Sequence, residues 1–517
     1  MVLFSLAYPI RNSYFVKSFI PYILRLFIFF YFSIFVLFTY AQNTNINPGV
    51  DELYREDEVT EIRIKISEAD NILLHAEENR WLDKYVTADI VFSNSRLDQV
   101  KINNAGLRLR GNTARAHNKR SYKIDFKEFG GEKFKSYKKI NLKPNVNDPA
   151  HIRELISMQL YRLMNVLAPR VAPTVVYINE EFKGVYLNIE QIDDEFVDKR
   201  FDTEEGFLYK CAYSATLEDN GQINDLELYE VKMNEEKDTR SELKHFVEIL
   251  NNSSDATFKT EIETVFGVDG FLRQMAVEAI IGHWDGYSYL NNNYYLYFRP
   301  VSNQFEFIAY DTDNTFGIDW VDRDWATRDL KHFYRHNHPR PLSSRILDVD
   351  EYRDRYYYYL EHLFETYFTE AYLFPKFDFY KELLKPFVEL DTYFDDSFEF
   401  SYSDFLNAFD YESNRQAKYG LKGFVTTRRI SGIPMIPKVV LGKPIDYTFN
   451  VYPNPAGRTL NIKMRDFKEA VIFNFLGQEV LKSKESSIDL SNLNEGIYIV
   501  KIEDRNGTYR STKLIKK

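Results

Sequence analysis

Alternating polar and apolar positions mark the first third of the folded chain. Glu61-Ile-Arg-Ile-Lys-Ile66 has period two and predicts a half-buried strand. Thr87–Phe92 and Gly106–Arg110 read the same way, and Ser121–Phe126 places Tyr122, Ile124 and Phe126 on one face. The period then changes. His151–Asn165 carries Ile152, Leu155, Ile156, Leu160 and Leu163 at helical spacing, and Val268–His283 is apolar along one side. Thr174–Ile178 and Gly184–Ile189, joined by Asn179–Lys183, predict a hairpin, and further strands follow at Tyr294–Phe298 and Phe305–Tyr310. Aromatic-rich helical segments run from Tyr352 to about Tyr419. This order predicts a mixed α+β domain over residues 61–423.

The pattern changes at both ends. Leu26–Tyr40 is almost wholly apolar, follows Arg11, Lys17 and Arg25, and precedes Ala41. About fifteen apolar residues suit a signal peptide and are short for a membrane span of about 20. Residues 1–41 are therefore expected to be removed before Gln42, leaving no stable span, and polar residues 42–60 to form a linker. Gly432, Pro434, Pro437, Gly442 and Pro444 predict a second linker over 424–446. Short strands with turn signals fill 447–517, where 12 Lys and Arg stand against 8 Asp and Glu. A separate basic all-β sandwich is expected there.

Composition narrows the function classes. With 66 basic and 77 acidic residues the chain has a formal charge of −11, which argues against nucleic acid as a partner. The one cysteine, Cys211, cannot form an intramolecular disulfide, so the exported form must be held by its core.

Two clusters carry chemistry. Arg110-Gly-Asn-Thr113 follows a strand and precedes Lys119-Arg-Ser-Tyr-Lys123. A glycine turn lets backbone amides approach a phosphate, and a following cation neutralises it. The second cluster joins His283-Trp-Asp-Gly-Tyr-Ser-Tyr-Leu-Asn-Asn-Asn293 to Asp311-Thr-Asp-Asn-Thr-Phe-Gly317 through two strands. Asp285, the asparagines, Asp311 and Asp313 are hard oxygen donors that can meet on one divalent cation, leaving one carboxylate to take a hydroxyl proton. The spacing loosely parallels the protein-kinase catalytic loop and metal-binding aspartate. The asparagine falls later, and Phe316-Gly317 does not directly follow Asp311. Asp285 and Asp313 as paired carboxylates would also suit glycoside hydrolysis.

Residues from Ile62 to Phe364 resemble the spore-coat CotH kinase family. The likeness rests on Arg110-Gly-Asn-Thr113 with Lys119-Arg-Ser-Tyr122, Arg153, Tyr177-Ile-Asn179, Gly184-Val-Tyr186, Glu190, His283-Trp-Asp285, Asn292–Tyr297, Asp311-Thr-Asp313 with Phe316-Gly317, and Pro341-Leu342 before Arg345. The resemblance implies an atypical protein-kinase-like fold that binds ATP with Mg²⁺ or Mn²⁺ and phosphorylates Ser or Thr of surface or secreted proteins. On matching positions Asp285 is the catalytic base, and Asn292 or Asn293, Asp311 and Asp313 are metal ligands. Arg110, Gly111, Asn112, Lys119, Arg120 and Glu190 then surround the nucleotide, with Lys119 on phosphate. Arg120 stands where the family commonly has a second lysine. Val451-Tyr-Pro-Asn-Pro455, Ile472–Gln478, Ile488-Asp-Leu490, Gly496-Ile-Tyr498 and Thr512–Lys517 resemble the C-terminal sorting domain of the type IX secretion system. That likeness implies a Bacteroidota-type bacterium, a partnership with the secretion machinery, and a cell-surface or secreted location. Because ATP is scarce outside cells, the alternative expectation is a surface binding or structural module that keeps the fold but transfers little phosphate.

Overall fold

The computed structural model describes residues 46–111, 113–201, 203–394, 400–410, 416–437, 450–464, 467–474, 478–504 and 509–517. Residues 1–41, expected to be a signal peptide, and Asn112 lie outside them. Two compact units are present, one spanning Asn45–Ile445 and one containing Asp446–Lys517.

The first unit begins with a closed seven-stranded barrel. Its strands are β1 (Thr60–Ile66), β2 (Val86–Asn94), β3 (Leu97–Leu109), β4 (Tyr122–Asp125), β5 (Lys139–Lys143), β6 (Val171–Ile178) and β7 (Glu181–Glu190), in the order β1-β2-β3-β4-β5-β7-β6. β1 closes the barrel by pairing parallel with β6, while the other neighbours run antiparallel. The alternation explains why: Ile62, Ile64, Ile90, Leu107, Ile124, Ile140, Leu142 and Val176 point inward and share one apolar cluster. Their polar neighbours, including Arg108 and Lys123, face outward from the same strands.

Helix α1 (Arg153–Leu163) follows β5 and is buried along most of its length. A four-stranded sheet comes next, with order β11-β10-β8-β9, built from β8 (Phe207–Cys211), β9 (Tyr229–Met233), β10 (Tyr294–Arg299) and β11 (Gln304–Ala309). Helix α2 (Val268–Ile281), apolar on nearly every side, packs against α1, β11 and α4 (Asp350–Thr366). Between α2 and β10 lies the one-turn helix α3 (Tyr287–Leu290). Tyr356, Tyr357 and Tyr359 of α4 are buried packing groups.

Both expected linkers are corrected at their domain ends. Leu53 and Tyr54 are fully buried, and Asn47 donates from Nδ2 to the Val166 carbonyl at 2.7 Å, so much of 42–60 belongs to the first unit. Residues Leu421–Gly432 form helix α6, after the long helix α5 (Glu370–Val388). Arg428 of α6, fully buried, donates to the Ala279 carbonyl at 2.6 Å. Gly432 and Pro434 suggested a loop, but the apolar positions Leu421, Phe424 and Val425 decide for a docked helix.

The second unit is the expected all-β sandwich. One sheet orders β12 (Asn450–Tyr452), β13 (Thr459–Lys463) and β16 (Ser487–Asp489). The other orders β15 (Glu479–Ser483), β14 (Phe467–Phe473), β17 (Gly496–Asp504) and β18 (Tyr509–Lys516). Val451, Leu460, Ile462 and Ile488 of the first sheet meet Ile472, Val500, Ile502 and Leu514 of the second in one core.

Candidate active site

Four segments of the first unit converge: the end of β5, the start of α1, the turn from α2 to β10, and the loop after β11. Lys143 closes β5, and its Nζ lies 2.9 Å from Glu154 Oε2 and 3.0 Å from Asp313 Oδ2, with a shorter contact to Asp311 Oδ1. Asp285 is held by three amides. Asn292 donates to its Oδ1 at 3.0 Å, while Asn293 and Asn314 donate to Oδ2 at 3.1 and 3.0 Å. Asn147 Nδ2 and Trp320 Nε1 donate to Asn314 Oδ1 at 3.0 and 3.2 Å, which orients that amide.

The backbone is bent to make this arrangement. Asp311, Phe316 and Asn293 have φ of 52°, 48° and 52°, a region that costs energy for residues other than glycine. Tertiary contacts hold the bends: the Phe316 amide donates to the Ile281 carbonyl at 2.8 Å, and Ser157 Oγ of α1 lies 3.0 Å from Thr315 Oγ1. Gly286 is required by close approach, because a Cβ there would lie 2.4 Å from Glu278 Oε1. That carboxylate accepts from the Ser288 amide at 3.1 Å and hydroxyl at 2.8 Å, fixing the turn just after Asp285.

Charge in the cluster is unbalanced. Three carboxylates contact one ammonium, and Asp285 lies beside them. Burial pushes Asp285 up to about 7 against the Asn292 hydrogen bond, and Asp313 and Asp311 add to the rise. Burial likewise pushes Glu154 up to about 7 and Asp313 to about 6, despite Lys143. Asp311 ends below its ordinary value: burial opposes ionisation, but Lys143, Arg110 and Lys210 outweigh it. His283, buried beside them, is pushed by burial down to about 4 and is neutral at pH 7.

The structure thus brings Asp285, Asn292, Asn293, Asp311 and Asp313 together. Arg110 joins their edge by donating from Nη2 to Tyr310 Oη at 3.0 Å, next to Asp311. Gly111 opens its turn with φ of 83°. Three other residues expected at the nucleotide have partners within the protein. Lys119 is buried in an ion pair with Asp391 at 2.5 Å, so its charge is already matched. Arg120 turns to Glu77 at 3.0 Å. Glu190 is enclosed by Arg170 and Arg200 at 2.6 and 2.9 Å. Cys211 is buried in β8, where burial raises its thiol well above its ordinary value and leaves it inert.

Sequence reading missed Lys143, Glu154 and Asn314. The signal for Lys143 was the short alternation Lys139-Ile-Asn-Leu-Lys143 before Pro144, a strand ending in a cation. Glu154 stands in the first turn of a helix already recognised.

Comparison with known proteins agrees with this layout. Residues 107–431 match the family described as CotH kinase protein, and residues 450–517 match a secretion system C-terminal sorting domain. The chain is 27% identical over 326 residues to the inner spore coat protein H of Bacillus subtilis, covering 62% of this chain and 86% of that protein. It is 36% identical over 76 residues to beta-agarase D of Zobellia galactanivorans, covering 14% of this chain and 16% of that protein. Among the described residues no helix is long and apolar enough to cross a membrane. The sorting domain marks the protein for the type IX secretion machinery and for a cell-surface or secreted location. The chain belongs to the CotH kinase protein family and carries that sorting domain as its C-terminal unit.

Proposed function

We propose that this protein is an exported kinase that transfers the γ-phosphoryl group of ATP to a Ser or Thr hydroxyl of a surface or secreted protein. The observation that carries this reading is the meeting of Lys143 on a strand with Glu154 on the following helix, beside Asp311 and the amide-held Asp285. A strand lysine paired to a helix glutamate, an aspartate base with a nearby asparagine, and a metal-binding aspartate are the working parts of a protein kinase. Their order along this chain is also that of a kinase: strand, glycine turn, strand, lysine strand, glutamate helix, catalytic segment, metal loop.

Asp285 would take the proton of the acceptor hydroxyl as its oxygen bonds to the γ-phosphorus and the bond to the ADP oxygen breaks. A pKa near 7 suits a group that must accept and later release a proton at neutral pH. Among the described residues no group of three or more His, Cys, Asp or Glu side chains is spaced to hold a metal unaided. Mg²⁺ or Mn²⁺ would be held by Asp311, Asp313 and an Asn292 or Asn293 oxygen, since Mg²⁺ uses one or two carboxylates and completes its shell with phosphates and water. When bound, the ion neutralises charge on the phosphate oxygens.

The test is calorimetry of ATP binding to the full chain with and without Mn²⁺ or Mg²⁺, together with label transfer from γ-labelled ATP. Metal-dependent binding with transfer that disappears in Asp285→Ala is expected. Absence of transfer in the wild-type protein, with casein and with its own chain as acceptors, would replace this reading with a surface scaffold.

A further inference from the structure

The acidic cluster leaves the negative charge of a bound nucleotide unanswered. Its one ammonium, Lys143, already contacts Glu154, Asp311 and Asp313. A triphosphate placed against four carboxylates needs positive charge beyond the metal. Complementary cations lie next to the carboxylates, on the Asp311 side. Arg110 continues the outward face of β3, alternating with the inward Leu109, and is tied to Tyr310 Oη at 3.0 Å. Lys123 projects from β4 in register with Arg108, so it shares that outward face. From the opposite sheet, Lys210 of β8 places its Nζ 5.9 Å from the centre of the Tyr310 ring. Arg110 and Lys210 both act on Asp311, which fixes this group beside the carboxylates.

Other cations near Lys123 are matched. Arg108 pairs with Asp83 at 2.7 Å, Lys139 with Asp125 at 3.4 Å, and Lys232 with Glu230. Among the described residues Arg110, Lys123 and Lys210 have no carboxylate within ion-pair distance, and Lys123, half-buried, has no hydrogen-bond partner. Asp311 acts on Arg110 and Lys210, and Asp83 on Lys123, from beyond ion-pair distance, so an anion that spans the three cations adds the direct contacts they lack.

We infer that Arg110, Lys123 and Lys210 form a cradle for a linear polyphosphate chain, that of the nucleoside triphosphate, with Tyr310 linking the cradle to the carboxylates. This rests on the kinase reading for its ligand, and it assigns the phosphate contact to Lys123 where sequence favoured Lys119. Burial, then Arg110, Arg108, Lys139 and Lys232, push the Lys123 ammonium down to about 7. A bound phosphate chain restores its proton, so binding takes up protons and weakens as pH rises through about 7 to 9.

The experiment is calorimetry of the full chain with tripolyphosphate and, separately, with ATP, in EDTA at pH 7.5 and in two buffers of different ionisation enthalpy. Wild type should bind both with proton uptake. Lys123→Gln and Lys210→Gln should each weaken binding about tenfold, Lys123→Gln should also reduce the uptake to the part that Asp285, Glu154 and Asp313 contribute, and Lys139→Gln should stay within about twofold. In the unaltered protein, tripolyphosphate should protect Lys123 from acetylation by an amine-reactive reagent, read by mass spectrometry. Equal affinity in the Lys123 and Lys210 variants, or acetylation of Lys123 that the anion leaves unchanged, overturns the cradle. ATP bound much more tightly than tripolyphosphate identifies the nucleotide as the ligand, whereas equal affinity identifies free polyphosphate and overturns the nucleotide assignment. Wild-type chain that binds tripolyphosphate through Lys123 but transfers no phosphate would sink the kinase reading and leave the cradle standing. Normal transfer by Lys123→Gln would do the reverse.

Discussion

Two clusters of buried charge lie in the first unit, and they are built on opposite principles. Around Glu190 the charges are matched: Arg170 and Arg200 reach its two oxygens, the Arg170 amide donates at 3.0 Å, and Arg170 also pairs with Asp51 at 2.8 Å. Burial works against the Glu190 anion, but Arg200 and Arg170 win and hold it far below the usual carboxylate range. Around Lys143 three carboxylates share one ammonium with Asp285 beside them, and burial raises Asp285, Glu154 and Asp313. The first cluster is a strut between β7, the chain entering the barrel and the segment after it. The second sets more carboxylates than cations together, with Arg110 and Lys210 reaching only Asp311 beside Lys143. Surplus, not burial, distinguishes a site from a support.

The sharpest break in the comparison is Asp285→Ala. Label transfer should fall by about 10²–10⁴-fold with the fold intact, since the change removes a proton acceptor and a buried charge, not a packing group. Glu190→Ala should act in the reverse sense. Leaving Arg200 buried without a carboxylate, and Arg170 with Asp51 alone, should cost about 3–5 kcal/mol in urea unfolding, and transfer should fall only with the folded fraction.

The pH response separates the clusters next. Asp285, Glu154 and Asp313 have raised pKa values, so the fold binds more protons than the unfolded chain between roughly pH 4 and 7. Their contribution to stability is fully present below about pH 4 and is lost as pH rises through about 7. Glu190 is depressed, so its contribution is present above its ordinary value and lost as pH falls below it. Thermal unfolding from pH 8 to 3 should show Asp285→Asn flattening the gain between 7 and 5, and Glu190→Gln removing the fall at the acid end. Transfer, in contrast, should rise with pH through about 7 as Asp285 ionises. The smallest effect is expected from Arg120→Ala, which opens a pair with the exposed Glu77 and a long hydrogen bond of 3.3 Å to the His75 carbonyl. Transfer should stay at wild-type level and the melting midpoint almost unmoved, and a loss of ATP affinity there would return Arg120 to the nucleotide site.

Much of this protein was legible in the chain because the signals are local. Period two named most barrel strands, since an inward face forces alternation over a few residues, as in Glu61–Ile66. The two acidic segments of the cluster were readable because Asp285 with its asparagines, and Asp311 with Asp313, each lie within a few residues. What tertiary structure decided was which cation meets which carboxylate. Lys119 sits in the motif, yet folding buries it against Asp391, 272 residues away, while β5 carries Lys143 to Asp311 across 168. Nothing in a run of residues separates those two lysines. A charge takes its role from the net charge and burial of its neighbours, and those neighbours are chosen only when the barrel closes and α1 docks on the loop after β11.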